Sequence, residues 1–138
     1  VPEAGSAWFL PRIVGLPQAL RWCYSGRVFD AAEAARGGLI EEPLAPEALL
    51  PKAMEIAREI ADNTAPVAVA VTRQMLWRLS AEPTPWGTLG VDAALNVHLG
   101  ASPDVREGVA AFIEKRQPHF PGQVSADMPP QYPWWPQR

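Results

Sequence analysis

Residues 25–42, "SGRVFDAAEAARGGLIEE", contain the signals that decide the fold of this chain. Asp30 precedes a run of alanines as an N-cap, and Glu33 follows it in a variant of the capping box. The glycine pair at 37–38 ends the helix, because glycine is favoured just after a helix C-terminus. The stretch therefore predicts a short capped helix, followed at 39–44 ("LIEEPL") by the one plausible strand.

Helical patterns fill most of the remaining sequence. Apolar residues recur at intervals of three and four, prolines stand in first turns, and glycines or prolines separate the segments. We expect six or seven helices in all, with Pro51 splitting off a short first turn of the helix that contains it. Besides the helix after Asp30, the predicted segments are 6–14, 16–24, 46–62, 66–79, 88–99 and, after the N-cap Ser102, 103–116.

Composition excludes several classes of function. The 138 residues carry a net charge of −3, so the chain lacks the basic surface of a nucleic-acid-binding protein. No apolar run approaches the roughly 18 residues that span a bilayer, and no signal peptide is evident. The single cysteine, Cys23, fits a reducing compartment, and we expect a cytoplasmic protein. Because Val1 is not a methionine, we treat the sequence as a piece of a longer protein.

No motif in the sequence predicts a metal site, a phosphate-binding loop or a nucleophile. CxxC, HExxH and GxGxxG are all absent. His98 is interpreted as an ordinary helix residue and His119 as an exposed residue at a helix end. Cys23 is expected to pack on an apolar helix face, since no base adjoins it.

The tryptophans are interpreted mainly as packing residues. Trp22 and Trp77 lie in predicted helices and are expected to be buried. Trp134 and Trp135 stand in a proline-rich tail, and we expect this exposed aromatic pair to contact another surface.

Three blocks in fixed order resemble a known family. They are "VPEAGSAWFLPRIVG", "SGRVFDAAEAARGGLIEE" and "REGVAAFIEKRQPHF", and together they resemble the C-terminal half of the enoyl-CoA hydratase/isomerase (crotonase) family over residues 1–122. The resemblance implies a mainly α chain, the C-terminal helical half of an α/β crotonase-like fold whose ββα-core spiral lies upstream. It implies three regions: 1–45, the end of the core with acyl-pocket helices; 46–122, a helical trimerisation region; and 123–138, a Pro/Trp-rich tail without a family counterpart.

The resemblance also implies an activity, the hydration or double-bond isomerisation of an enoyl-CoA thioester. Coenzyme A is then part of the substrate, no separate cofactor is expected, and the assembly is a homotrimer or homohexamer. In the family, the oxyanion hole and the two hydratase glutamates lie upstream of the region that these residues resemble. We therefore expect the 138 residues alone to be inactive.

Glu3 is the candidate catalytic residue. The resemblance aligns "PEAGS" with a position where Δ3,Δ2-enoyl-CoA isomerases have a proton-shuttling glutamate and dehalogenases a nucleophilic aspartate. Val1, Trp8 and Phe9 are expected to surround it, Trp8 and Phe9 as substrate-binding residues, because a carboxylate in apolar surroundings is a better proton acceptor. The alternative is an acidic residue that only stabilises a helix N-terminus.

Phe112 and Lys115 are the other candidate substrate-binding residues. In the family, a phenylalanine and a lysine of the last helix contact the adenine nucleotide of CoA in a neighbouring subunit, and these positions match them. Their i, i+3 spacing puts them on one helix face, where the lysine can pair with phosphate. The alternative places Phe112 in the core and leaves Lys115 solvated beside Glu114.

Two other functions stay open from the sequence. One is a non-catalytic helical module that oligomerises or completes a partner chain. The other is a hydrolase of the same fold that cleaves carbon–carbon bonds, which nothing in the residues selects. The length of the natural polypeptide discriminates the module from the enzyme, since these residues alone lack an oxyanion hole.

Overall fold

Caps and glycines divide the chain into seven α-helices within residues 1–135, the part that the computed structural model describes. These residues form two units, 1–52 and a second that begins at residue 53, and α4 runs across the division. Residues 136–138 of the predicted tail lie outside the described residues. The helices are α1 Ser6–Val14, α2 Leu16–Ser25, α3 Ala31–Arg36, α4 Pro46–Asn63, α5 Pro66–Leu79, α6 Trp86–Gly100 and α7 Pro103–Glu114.

The predicted helices are confirmed, and no end is shifted by more than two residues. The helix that contains Pro51 is continuous, however, so the expected split of its first turn is wrong. A proline six residues into a helix removes one donor, and the neighbouring turns of an 18-residue helix hold the segment together.

In the first unit, the indole of Trp22 organises the contacts of α2. Its ring is 5% exposed and stacks on Phe29, with centroids 4.4 Å apart and planes at 12°. Its Nε1 donates to Oε1 of Glu33 at 2.8 Å, and Arg27 forms an ion pair with the same oxygen. The guanidinium of Arg27, and then the indole, hold the pKa of Glu33 below its usual value. Gly37 leaves room for this indole, because a Cβ at residue 37 would lie 2.5 Å from the Trp22 ring.

The helix α3 begins and ends as the sequence predicts, but no strand follows it. Asp30 accepts the backbone N–H of Glu33 at 2.7 Å. Gly38, at φ 78°, closes a Schellman motif in which the N–H of Leu39 donates to the carbonyl of Ala34 at 2.9 Å. Residues 39–44 are irregular, and the predicted strand is wrong. A short extended segment needs a neighbouring strand, and residues 1–135 provide none.

The second unit has a core between α5 and α6. Val67, Val71 and Leu95 are each at most 3% exposed and form one cluster. Two residues from beyond α7, Met128 and Trp134, pack against this cluster. The C-terminal residues therefore belong to the core of the unit, and the aromatic pair at 134–135 is half-buried.

The helix α7 has its N-terminus fixed by two side chains. Ser102 accepts the N–H of Val105 at 3.3 Å, as an N-cap. Asp104, in the first turn, is 7% exposed, and its Oδ1 accepts the N–H of Gly122 at 2.8 Å. A Cβ on residue 122 would overlap the Asp104 carboxylate, so only glycine fits this approach.

An ion pair between Arg116 and Glu107, with two hydrogen bonds, holds the C-terminus of α7. Lys115 adopts φ 53°, where glycine is usual, and the N–H of Arg116 donates to the carbonyl of Ala111 at 3.1 Å. The Arg116 guanidinium then donates to both oxygens of Glu107, at 2.6 and 2.9 Å. Glu107 also accepts the N–H of His119 at 2.7 Å. These bonds tie the residues after α7 to the body of the helix.

Several expectations for single residues are settled by burial. Trp22 is buried, His119 is exposed, and His98 lies in α6, all as expected. Trp77 is 50% exposed, so its expected burial is wrong. Cys23 is exposed rather than packed. The larger indole of Trp22 occupies the buried face of α2, which leaves the next residue turned outward.

The Arg116–Glu107 pair predicts an acid-dependent stability. Arg116, and then the His119 N–H, lower the pKa of Glu107 to about 2, below the usual value of 4.5. Because the pKa of Glu107 is lower in the folded state than in the unfolded state, its ionised carboxylate stabilises the fold. This stabilisation is complete above about pH 4.5 and is lost as the pH falls towards 2. We expect Glu107→Gln to lower Tm at pH 6, and the gap to the parent to narrow between pH 4.5 and pH 2.

The matched control for that measurement is Glu82→Gln, which changes an exposed glutamate of the same unit. This variant should follow the parent in Tm at every pH. A gap for Glu107→Gln that stays constant down to pH 2 would contradict the role given to the ion pair.

Candidate functional site

Glu3 lies in a tight turn directly before α1. Its carbonyl accepts the N–H of Ser6 at 2.9 Å and the Ser6 hydroxyl at 2.6 Å. The two central residues, Ala4 at φ 53° and Gly5 at φ 78°, are both left-handed, as in a type I′ turn. Gly5 suits this region, whereas Ala4 is strained there. The Glu3 residue itself is exposed.

The side chains beyond this turn form an aromatic and cationic group on α1. The rings of Trp8 and Phe9 meet edge to face, with centroids 4.8 Å apart. The Arg12 guanidinium lies over the Trp8 ring, 3.9 Å from its centroid, and donates to the Trp8 carbonyl at 2.9 Å. A Cβ on Gly5 would lie 3.1 Å from the Phe9 ring, so the turn and the aromatic pair are in contact.

The exposure of these residues departs from the expected apolar surroundings. Trp8 and Phe9 are 36% and 38% exposed, and Val1 is fully exposed. Within residues 1–52, Glu3 is therefore exposed and is not enclosed by the aromatic residues of α1. The unit presents an open surface that carries a carboxylate, two aromatic rings and a guanidinium.

In the second unit, Phe112 and Lys115 do not share a helix face, contrary to the spacing argument. Phe112 lies on α7 and is 84% exposed, whereas Lys115 lies just past the end of the helix in the left-handed region. The left-handed turn redirects the chain, so helical spacing no longer applies to Lys115. The alternative that put Phe112 in the core is wrong, and Lys115 is exposed.

Two features of these sites were missed in the sequence. Arg12 stands four residues after Trp8, a spacing that brings side chains together on a helix and so could have revealed the pair. The partnership of Arg116 with Glu107 spans a left-handed turn, and no local pattern signals it. The first puts a guanidinium over Trp8, a predicted substrate-binding residue, and the second ties up the arginine that follows Lys115.

The described part of the chain has neither a metal-binding cluster nor a membrane-spanning helix. No cluster of three histidine, cysteine, aspartate or glutamate side chains in residues 1–135 is placed to hold a metal ion. None of the helices described there combines the length and hydrophobicity needed to cross a bilayer.

Comparisons with known proteins agree on one family. The model of the enoyl-CoA hydratase/isomerase family matches residues 1–123. A probable enoyl-CoA hydratase of Rhodobacter capsulatus is 38% identical over 123 residues, which cover 89% of this chain and 47% of the relative. An enoyl-CoA hydratase of Alternaria alternata is 36% identical over 121 residues, 87% of this chain and 40% of the relative.

Solved structures give the same result. A probable enoyl-CoA hydratase/isomerase from Mycobacterium abscessus superposes with a TM-score of 0.82 at 33% identity, over 88% of this chain and 49% of that one. The chain thus spans about half the length of the proteins it matches, and its all-helical described residues correspond to the helical C-terminal part of the crotonase fold. The chain belongs to the enoyl-CoA hydratase/isomerase family.

Proposed function

We propose that the protein acts on acyl-CoA thioesters, by hydrating an enoyl-CoA or by moving its double bond. The family assignment supports the substrate class. In this proposal coenzyme A enters as part of the substrate, no separate cofactor takes part, and the reaction takes place in the cytoplasm. The 138 residues on their own do not turn over substrate, because the donors of the oxyanion hole come from another part of the polypeptide.

The strained turn at Ala4 is the observation that carries the assignment of Glu3. A non-glycine residue at positive φ costs about 1–2 kcal/mol, and such strain concentrates at functional sites. Here the two bonds from Ser6 to the Glu3 carbonyl hold the strained turn directly before α1, next to the Phe9 ring.

The proposed role of Glu3 is to move one proton. In isomerisation, its carboxylate removes a proton from C2 of a 3-enoyl-CoA, and the electron pair is delocalised onto the thioester carbonyl. The same carboxylate, now protonated, delivers the proton to C4 and leaves a 2-enoyl-CoA. Trp8 and Phe9 are proposed to contact the acyl chain, since their rings lie on the helix that follows the turn.

Glu3→Gln in the full-length protein tests this role. The amide keeps the size of the side chain but cannot accept a proton, so isomerisation should fall roughly 10²–10⁴-fold, about 3–5 kcal/mol in barrier. The measurement is the rate with a 3-enoyl-CoA, with hydration of a 2-enoyl-CoA followed in parallel. Retained hydration with lost isomerisation would place Glu3 on the isomerase path alone.

Glu41→Gln is the matched control, because Glu41 is another exposed glutamate of the first unit. It should leave both rates unchanged. Equal rates for parent and Glu3→Gln in both assays would refute the catalytic role and leave the family assignment intact.

Phe112 and Lys115 are proposed to contact the nucleotide of coenzyme A. Their exposure supports this, because the 84% exposed ring of Phe112 offers a stacking surface and the exposed Lys115 offers a cation. Arg116 is bound to Glu107 and Glu114, so its charge is neutralised locally. Lys115 is therefore the better placed cation for phosphate.

Phe112→Ala and Lys115→Ala should raise KM with little change in kcat. The contacts are remote from the reacting atoms and are made equally in the ground and transition states. We expect losses of about 0.5–1 kcal/mol each, roughly a two- to fivefold rise in KM. Lys115→Arg should restore most of the lost affinity, and a fall in kcat at constant KM would contradict the assignment.

A homotrimer or homohexamer is the proposed assembly. The outer face of α7 supports it, because Val109, Phe112 and Ile113 are 54%, 84% and 72% exposed. The same face favours the second candidate function, a helical module that assembles without catalysis. Both predict association, and the enzyme assays above separate them.

Sedimentation of the full-length protein measures that association. We expect a species of three or six copies, because burying such apolar side chains contributes about 25 cal/mol per Å². A stable monomer at all concentrations would contradict the proposed assembly.

A further inference from the structure

The segment that follows the family match has a well-defined place in the second unit. We call residues 124–135 the C-terminal strap. The family model ends at residue 123, whereas the strap supplies Met128 and Trp134 to the core between α5 and α6. Pro129 of the strap is less than 2% exposed, as is Val71 of the core cluster.

Hydrogen bonds of the backbone at residues 122, 123 and 127 fix the start of the strap. The Gly122 N–H donates to Asp104, and the Gln123 N–H donates to Oδ2 of Asp127 at 2.7 Å. The N–H of Asp127 donates in turn to the Gln123 carbonyl at 2.8 Å. This turn directs the chain towards the α5–α6 core and brings Met128 into contact with it.

The end of the strap is fixed by aromatic contacts. Tyr132, Trp134 and Trp135 meet edge to face, with centroids 5.1–6.0 Å apart. Arg78 of α5 lies over the Trp135 ring, 4.3 Å from its centroid. Trp134 packs on the core, and its Nε1 is buried without an acceptor in the described part of the chain. Such a donor is tolerated only where the ring is held by its apolar contacts.

The strap also forms one wall of a cavity of about 840 Å³. Asp127 and Met128 line it on the strap side, and His98 and Leu99 of α6 line it on the helical side. A released strap would expose both the cavity and the apolar core cluster.

We propose that the strap docks on the α5–α6 face of its own chain and acts as a cover that keeps water and apolar ligands from this face. The contacts identify the strap as the segment that occupies this face. Met128 and Trp134 pack on the cluster of Val67, Val71 and Leu95. The Arg78 guanidinium lies over the Trp135 ring. The family match ends at residue 123 and does not include the strap.

Trp134→Ala in the full-length protein tests the proposal, with Trp86→Ala as the matched control. Trp86 is a 76% exposed tryptophan of the same unit. We expect Trp134→Ala to lower Tm by roughly 4–8 °C and Trp86→Ala to leave it nearly unchanged. Below the transition, Trp134→Ala should keep its helical circular dichroism and bind more of the apolar dye anilinonaphthalene sulfonate than the parent. Equal Tm values and dye binding for the two variants would overturn the proposal.

Two further measurements keep the result decisive. Trp134→Phe retains an aromatic ring and removes the unpaired N–H, so it should fold and melt within about 4 °C of the parent. A chain ended at Gln123 should bind dye, and a synthetic peptide of residues 124–135 should displace the dye, whereas the same peptide with Trp134→Ala should not. Failure of the unaltered peptide to displace it would count against the docking.

Dilution distinguishes the chain's own strap from that of a second copy. Docking within one chain predicts that the gap in Tm between the parent and Trp134→Ala persists across roughly a hundredfold range of concentration. If a second copy supplied the strap, the parent would fall on dilution to the Tm of the variant, and docking within the chain would be refuted.

Discussion

The buried carboxylate of Asp104 turns the chain after α7 back towards the residues that begin this helix. Its position in the first turn of α7 favours a negative charge, and its Oδ1 accepts the N–H of Gly122. The glycine is required because any side chain there would occupy the space of the carboxylate. Met128 and Trp134 reach the α5–α6 core only because the chain reverses here. The hydrogen bond between Asp104 and Gly122 thus sets the direction of the chain that carries Met128 and Trp134 to the core.

Much of the helical fold was predictable because helix ends are local chemistry. Asp30 and Ser102 cap the helices that they were expected to cap, and Gly38 ends α3 in the left-handed region. The errors arise where the conformation or burial of a residue depends on a partner that is distant in sequence. The segment 39–44 has the composition of a strand but no strand beside it, and the family's strands lie upstream in the crotonase fold. Trp77 has a helical position that periodicity cannot assign to a buried face without knowing the neighbouring helix.

The candidate sites also combine features that local sequence predicts with features that it does not. The aromatic pair on α1 and its Arg12 partner follow from helical spacing, and the structure places them together. The left-handed conformations of Ala4 and Lys115 do not follow from residue type, because alanine and lysine disfavour that region. Each is fixed by hydrogen bonds across a turn, to Glu3 in one case and within the end of α7 in the other. The backbone preferences of alanine and lysine therefore predict the wrong conformation at Ala4, which adjoins Glu3, and at Lys115.

The exposure of Glu3 sets a condition on any catalytic role. A proton shuttle works best where water is excluded, because water competes for the proton and weakens the electrostatic contacts of the substrate. The aromatic rings on α1 remain more than a third exposed and do not enclose the carboxylate. If Glu3 is catalytic, other surface has to cover it, either from the polypeptide beyond the half-length match or from the acyl-CoA itself. The turn then fixes the backbone from which the carboxylate extends, and the covering surface supplies the low-dielectric environment that makes the carboxylate an effective base.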